Sequence, residues 1–376
     1  MKALMRPAFV KFILVALSVL STQLLTAKEK EEKHADDGGI VDTEEEISEY
    51  ILHHIKDAHD FHLFSYTNSE GERKHVGFPL PVIVYTSEGV KAFMSSEFHH
   101  DDSGHHVVKA GEVHLVKYHE KIYELEHGAH GLEFDHETHK PKNAKAVLDF
   151  SITKSVFGIL LVGGFMLFAF GGLARQYKKN QIPTGFARFL EPLVLYVRDE
   201  IARPNIGEKK YRKFTGYLMT VFFFIWILNL VGLTPLGFNV TGQIAVTFCL
   251  ALFTFLITNI SGTKDYWGHI FWMPGVPVLM KILLIPIELL GTLTKPFALM
   301  VRLFANISAG HIVMMSLIAI TFTLKASMGV VGSSLISIVL SFFITLIEVL
   351  VAFLQAYIFT MLSALFIGLA VEEHEH

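Results

Sequence analysis

PFALMVRLFANISAGHIVMM, residues 296–315, places Arg302 inside a stretch from Val278 to Leu324 that is apolar enough to lie in a membrane. A guanidinium stays protonated at any physiological pH, and holding it at bilayer depth costs roughly 2.5–3.5 kcal/mol on insertion scales. An arginine near a helix end escapes that cost by snorkelling to the headgroups. Arg302 has long apolar sequence on both sides, so its position predicts a partner or a water-filled path instead.

The rest of the chain fits a membrane setting. Of 376 residues, 51% are hydrophobic and 18% charged, the latter below the ~25% of ordinary soluble proteins. Cys249 is the only cysteine, which excludes a disulfide framework and a cysteine metal site. Residues 1–27 read as a signal peptide, with Lys2, Arg6 and Lys11 before the apolar stretch Phe12–Leu25. The alternative, an uncleaved first anchor, exports the following segment equally well.

That segment, 28–147, is predicted to be a small periplasmic, histidine-rich α+β domain. Thr43 and Glu46 form a capping box for a helix in VDTEEEISEYILHHIKDAHDF. FHLFSY, PLPVIVYT, VHLVKYH and KIYELE read as strands. Sixteen of the 20 histidines fall between His34 and His139. HHDDSGHH (His99–His106) offers imidazole and carboxylate, but without a fixed tetrahedral spacing it reads as a solvated loop. No metal site is assigned.

From 148 onward the sequence predicts an all-α polytopic membrane protein of about five membrane helices plus one interfacial amphipathic helix. Ser155–Ala174 is long enough to span and carries no charge. RQYKKN and a series of basic residues to Lys213 follow, so this side is cytoplasmic. GFARFLEPLVLYVRDEIA suits the interface. Phe214–Thr263 holds no charge and divides near Pro235 into two spans, about 214–234 and 240–261. Two long segments follow, about 278–325 and 333–371. Ser333–Ile367 has no Gly or Pro. As one helix it is ~52 Å long, against a ~30 Å hydrocarbon core. The last two helices are therefore expected to be steeply tilted, as if crossing the face of another membrane object.

Polar residues in these segments form a pattern. Glu288, Lys295, Arg302 and Ala309 are seven apart, and Asn306 is four after Arg302, so they share a helix face. Ala298, Ala305 and Ala309 keep that face shallow for a close-approaching helix. His311 points to the opposite side. In the last segment Glu348 is the single charge between Ala326 and Val371, and Gln355 lies one heptad further on. Glu348 and His311 both titrate near neutral pH when suitably placed, which suits a proton relay. A plain structural ion pair is the competing reading.

KPFALMVRLFANISAGHIV, LQAYIFTMLSALFIGLAVEEHEH and NLVGLTP resemble signature strings of subunit a of the F-type ATP synthase, over about residues 148–376. The resemblance implies a proton-translocating stator subunit of the bacterial inner membrane, forming two half-channels against the c-ring. It would work with b-type stator subunits and the remaining complex, its C-terminus cytoplasmic. It implies that Arg302 is the rotor-facing essential charge, with Asn306 and Gln355 beside it and Lys295 supporting. Glu288 would lie in the cytoplasmic path, His311 and Glu348 in the channel from the exported side. Many family members carry Glu at the first of those two positions and His at the second; here the types are exchanged. No GxxxxGK[ST] loop is present, so this chain holds no nucleotide site, and no cofactor or nucleic acid is expected. A self-contained channel or secondary transporter would predict an internal repeat, which the sequence lacks. A membrane-anchored metal sensor would explain the histidines but not Arg302 or Glu348.

Overall fold

The computed structural model describes residues 57–67, 73–99, 101–126, 129, 131–133, 141–179, 183–234, 239–273 and 276–372. The signal peptide and most of the helix expected over 41–61 lie outside the described residues. The end of that expected helix, Asp60–Phe61, instead opens the first strand.

A unit of short strands precedes the helices. β1 (Asp60–Thr67) and β2 (Arg73–Pro79) form an antiparallel hairpin. β3 (Pro81–Thr86) lies between β4 (Gly89–Met94) and β9 (Leu148–Asp149). β5 (Val108–Ala110), β6 (Val113–Tyr118), β7 (Lys121–Leu125) and β8 (Ala144–Ala146) make a four-stranded sheet. The four expected strand segments are present, joined by five further strands that carry weaker β signals. Val82 and Val84 of β3 pack with Phe98, Val108, Val113, Leu115 and Ile122 into a small core.

The two residues of the β6–β7 turn, His119 and Glu120, both have positive φ, 49° and 59°. That is the backbone of a tight hairpin turn normally filled by Asn or Gly. Interactions hold Glu120 there: its amide donates to Asp102, and its carboxylate accepts from the amide of His59. The His59 imidazole, only 2% exposed, lies between Glu120 (3.2 Å) and Asp149 (2.7 Å). Burial opposes its charge, but hydrogen bonds and charge attraction from Asp149 and Glu120 outweigh burial and raise its pKa to about 9. The same contacts, with Lys117, outweigh burial at Glu120 and hold its carboxyl at about 2.

This charged knot sits where the strands meet the first long helix, α1 (Lys154–Lys179). The Lys154 amide donates to the Ala58 carbonyl, and Asp57 accepts from the Ser155 amide and the Thr153 hydroxyl. Phe61, Phe78 and Phe157 cluster beside it.

α2 (Phe186–Tyr196), a π-helical turn (Val197–Ala202) and the short α3 (Arg203–Ile206) follow. α4 (Tyr211–Gly232) and α5 (Ile244–Ile260) form the apolar hairpin, and α6 (Lys264–Phe271) leaves α5 at 101°. The helical run Val278–Val371 breaks at Gly329, whose φ of 72° and ψ of 170° are not helical. We name the arm before it α7 and the arm after it α8; their apolar spans are Val278–Met314 and Val331–Val371. At 41 residues the α8 span is ~62 Å long. Among the described residues four helices are long and apolar enough to cross a membrane, or five if the bent α5–α6 pair counts as one span. These helices fit a polytopic membrane protein.

The core of the helical region is large: Val197, Ile201 and Ala202 of the π turn are buried with Leu218, Phe222 and Ile225 of α4 and Ala364 and Ile367 of α8. At its tightest point a Cβ added to Gly368 would fall on the backbone carbonyl of Asn205. Both partners are backbone or helix-bound, so neither can yield.

Two outcomes follow from these contacts. Gly368→Ala should lower the thermal midpoint of the detergent-solubilised protein, an overpacking cost of about 1–3 kcal/mol. Gly171→Ala, with open space around it, should not; equal effects would show that the α3–α8 contact is not tight. The charge on His59 adds stability that is complete below its unfolded pKa of 6.5 and is lost as pH rises through about 9. That of Glu120 is complete above 4.5 and lost as pH falls towards 2. Unfolding of the strand unit, followed by limited proteolysis, should therefore ease between pH 7 and 10 in the wild type. It should respond less in His59→Gln; parallel profiles would exclude the His59 knot as the cause.

Candidate functional site

α7 turns two different sides to its surroundings. Leu299, Leu303, Ile307 and Gly310 are buried against the bundle, while Ala298, Arg302, Ala305, Asn306 and Ala309 are exposed. The predicted shallow face with one charge and one amide is therefore present. Among the described residues no carboxylate pairs with Arg302.

Glu288 and Lys295 do not continue that exposed face, and both are half-buried. The Lys295 ammonium lies over the Phe366 ring of α8, 5.6 Å from its centroid. Glu288 lines a cavity with His269 and Lys281. The row drifts about 20° per heptad, and Pro296 lies in the helix between Lys295 and Arg302. The expected single strip is thus two: one turned into the bundle, one turned out.

Beside Lys295 a narrow cleft opens between α5, α6, α7 and α8, with polar walls from Thr258, Asn259, Tyr266 and Thr292. The Tyr266 hydroxyl donates to Asn259. This end of the bundle is also where Lys210 donates to the Val371 carbonyl and the Thr263 amide to that of Ala370.

A second polar zone lies at the other end of α4 and α5. Thr241 donates to the Asn229 side chain at 2.7 Å, and Asn229 reaches the Ala352 carbonyl of α8. The Ser308 hydroxyl of α7 donates to the Gly242 carbonyl at 3.5 Å. Asn239 is buried there, and among the described residues neither of its amide atoms has a partner, the condition under which an ordered water is expected.

Glu348 is half-buried on α8. A Cβ added to Gly310 would fall on its carboxylate. Glu348 thus packs on the backbone of α7 one residue before His311, whose side chain lies outside the described residues. Gln355 is buried in α8 and no hydrogen bond joins it to Arg302. The sequence signal for Gly310 is a lone glycine between Ala309 and His311 within a helix. The cleft residues Asn259 and Tyr266 and the amides Asn229 and Asn239 carried no periodic signal.

A family model described as ATP synthase A chain matches residues 156–368. A second, described as a domain of unknown function (DUF8433), matches residues 50–150. The chain is 44% identical to ATP synthase subunit a of Chloroherpeton thalassium, over 68% of this chain and 79% of that protein. It is 40% identical to ATP synthase subunit a of Chlorobium phaeobacteroides, over 76% and 91% respectively. With ATP synthase subunit a 2 of Chlorobaculum tepidum the identity is 47%, over 62% and 67%.

The Gly310 contact is open to a double-mutant cycle. Gly310→Ala should lower the midpoint of thermal unfolding in detergent, and the loss should shrink when Glu348→Ala empties the space. Equal losses in both backgrounds would mean that the carboxylate is not the obstacle.

Proposed function

Because the chain belongs to the ATP synthase A chain family, we propose that the exposed Arg302 face and the two polar zones flanking it are the working parts of its membrane sector. The protein is the proton-translocating stator subunit of an ATP synthase, acting with the c-ring and the rest of the complex, and it carries no nucleotide site of its own. It is a multi-pass protein of the bacterial inner membrane.

In our reading, residues 1–27 are a signal peptide, 28–147 a periplasmic α+β domain and 148–376 the membrane domain, with five spans and a cytoplasmic C-terminus. Arg175, Lys178 and Lys179 at the end of α1 support that orientation. The length of the α8 span supports an oblique path for α8 across the rotor.

The observation that carries the mechanism is the exposed side of α7, where Arg302 and Asn306 are the polar side chains among Ala298, Ala305 and Ala309, with Val301 and Val313 at the margins. That shape admits a neighbouring helix closely and presents it with one charge. A proton entering from the periplasm passes the Asn229–Asn239 zone and the His311–Glu348 pair, and neutralises a c-ring carboxylate. The neutral carboxyl group can then turn into lipid. On approaching Arg302 from the other side it ionises, because a fixed positive charge favours the carboxylate. Its proton leaves through the cleft bordered by Lys295, Asn259 and Tyr266, then past Glu288. Gln355, on α8, is the polar residue beside Arg302 along this path. Arg302 separates the two paths, since an excess proton approaching it meets a like charge. Each charge moved across the membrane gains ~2.3 kcal/mol per 100 mV.

Membrane vesicles carrying the complex with Arg302→Ala should lose ATP-driven acidification essentially completely, while the soluble sector still hydrolyses ATP. Acidification at the wild-type rate would overturn the assignment.

A further inference from the structure

One surface of the strand unit is unexplained by proton transfer. In an antiparallel sheet with one face on a core, the other face is ordinarily polar. The β4–β3–β9 sheet breaks that pattern. Its inner face gives Val82 and Val84 to the core. Its outer face presents Ile83 and Tyr85 from β3, Val90 and Met94 from β4, and Leu148 with the adjoining Phe150. Tyr85 is 53% exposed, Val90 67%, Leu148 64% and Phe150 67%. Cross-strand pairing makes the patch continuous: Tyr85 pairs with both Val90 and Leu148, and the Phe150 amide donates to the Ile83 carbonyl. Among these six side chains only Tyr85 has a polar tip. Contiguous exposed apolar patches of this kind mark a docking surface.

The position of the patch indicates what covers it. Phe150 is five residues before Ser155, where the uncharged span of α1 begins, so it lies at most ~18 Å from that point along the chain. The strand unit is fastened at that level. Phe78 packs edge-on against Phe157 in the first turn of α1, with ring centroids 5.5 Å apart, and remains partly exposed. Around and beyond Phe157 the exposed side of α1 is itself apolar, with Val156, Leu160 and Leu161. Exposed apolar side chains are thus found on the membrane-spanning helix, at the aromatic residues at its mouth and on the sheet that leads into it. Aromatic rings, and tyrosine with its polar tip, are the side chains favoured at the headgroup level. A lipid surface also asks for no directional hydrogen bonds, and the patch offers almost none.

We propose that the outer face of the β4–β3–β9 sheet rests on the lipid leaflet at the N-terminal side of α1, so that the strand unit is a membrane-lying element. This placement does not depend on the roles given to α7 and α8, and proton pumping is read separately in its test. The whole complex, carrying Cys249→Ser and a single spin label at Val90→Cys or Leu148→Cys, is placed in nanodiscs of phosphatidylethanolamine and phosphatidylglycerol. A label at Glu112→Cys, in the exposed β5–β6 turn, is the aqueous control. Collision with oxygen should exceed collision with a water-soluble nickel chelate several-fold at positions 90 and 148, and the order should reverse at 112. Water-like accessibility at both patch positions would overturn the proposal. So would labels immobilised and shielded from both quenchers, which would indicate a protein covering the patch. The unsubstituted complex gives an independent reading: photolysis with a lipid bearing a diazirine near the headgroup should leave adducts in the peptide 81–94. Adducts confined to the helices would count against lipid contact.

Discussion

Arg302 places a guanidinium on an exposed helix face rather than in a buried pair. The arrangement follows from that constraint. The cost of a bare guanidinium at membrane depth can be met on a surface only by something outside this chain, whether water or a partner's carboxylate. Immediately around it the face is low, with Ala298, Ala305 and Ala309 beside Asn306, while Val301 and Val313 border it. The opposite side of the same helix carries Leu299, Leu303 and Ile307, which anchor it to the bundle. One helix thus has a packed side and an exposed side, the division that the rotor-facing role proposed for Arg302 needs.

The two polar zones are ordered by the antiparallel course of α5 and α7. α5 begins near Gly242, level with Ser308, and ends at Asn259, level with Lys295. Arg302 lies between those levels in the sequence of α7. The polar groups therefore fall at opposite ends of the bundle without any helix being interrupted for them, and the middle level is left to the apolar core and the arginine. The heptad drift turns Lys295 to the cleft and Glu288 to the cavity it shares with His269 and Lys281, while Arg302 and Asn306 turn outward.

Long apolar elements were legible because length and composition determine them nearly alone. α1, α4, α5 and the two arms meeting at Gly329 lie where the sequence placed them, and the absence of Gly and Pro in Ser333–Ile367 did mark one helix. Arg302 was legible for the same reason: a charge in such a segment has no ordinary explanation. What escaped reading depends on three-dimensional proximity. Gly310 is needed because Glu348 packs on it from a residue 38 positions later, and Gly368 because a carbonyl more than 160 positions earlier does. The strands β5, β8 and β9 are three residues long or fewer and exist through pairing, not propensity. The left-handed turn at His119–Glu120 has the wrong residues for its shape, and holds because His59 and Asp102 fasten Glu120.

The junction between strands and helices shows how the two parts constrain each other. A buried imidazolium between two carboxylates is costly to assemble and costly to break, since removing one partner leaves an uncompensated charge. Its partners come from three separate segments: His59 before β1, Glu120 in the β6–β7 turn and Asp149 at the entrance to α1. Such a knot adds little net stability over an apolar plug, but it admits one arrangement only. The Phe61–Phe78–Phe157 cluster beside it is apolar and tolerant of small shifts. Together they fix the strand unit at the mouth of α1, and with it the orientation of the sheet whose outer face is apolar. An element merely tethered by a flexible linker would have no reason to carry such a face; one held at that height by a charged knot does.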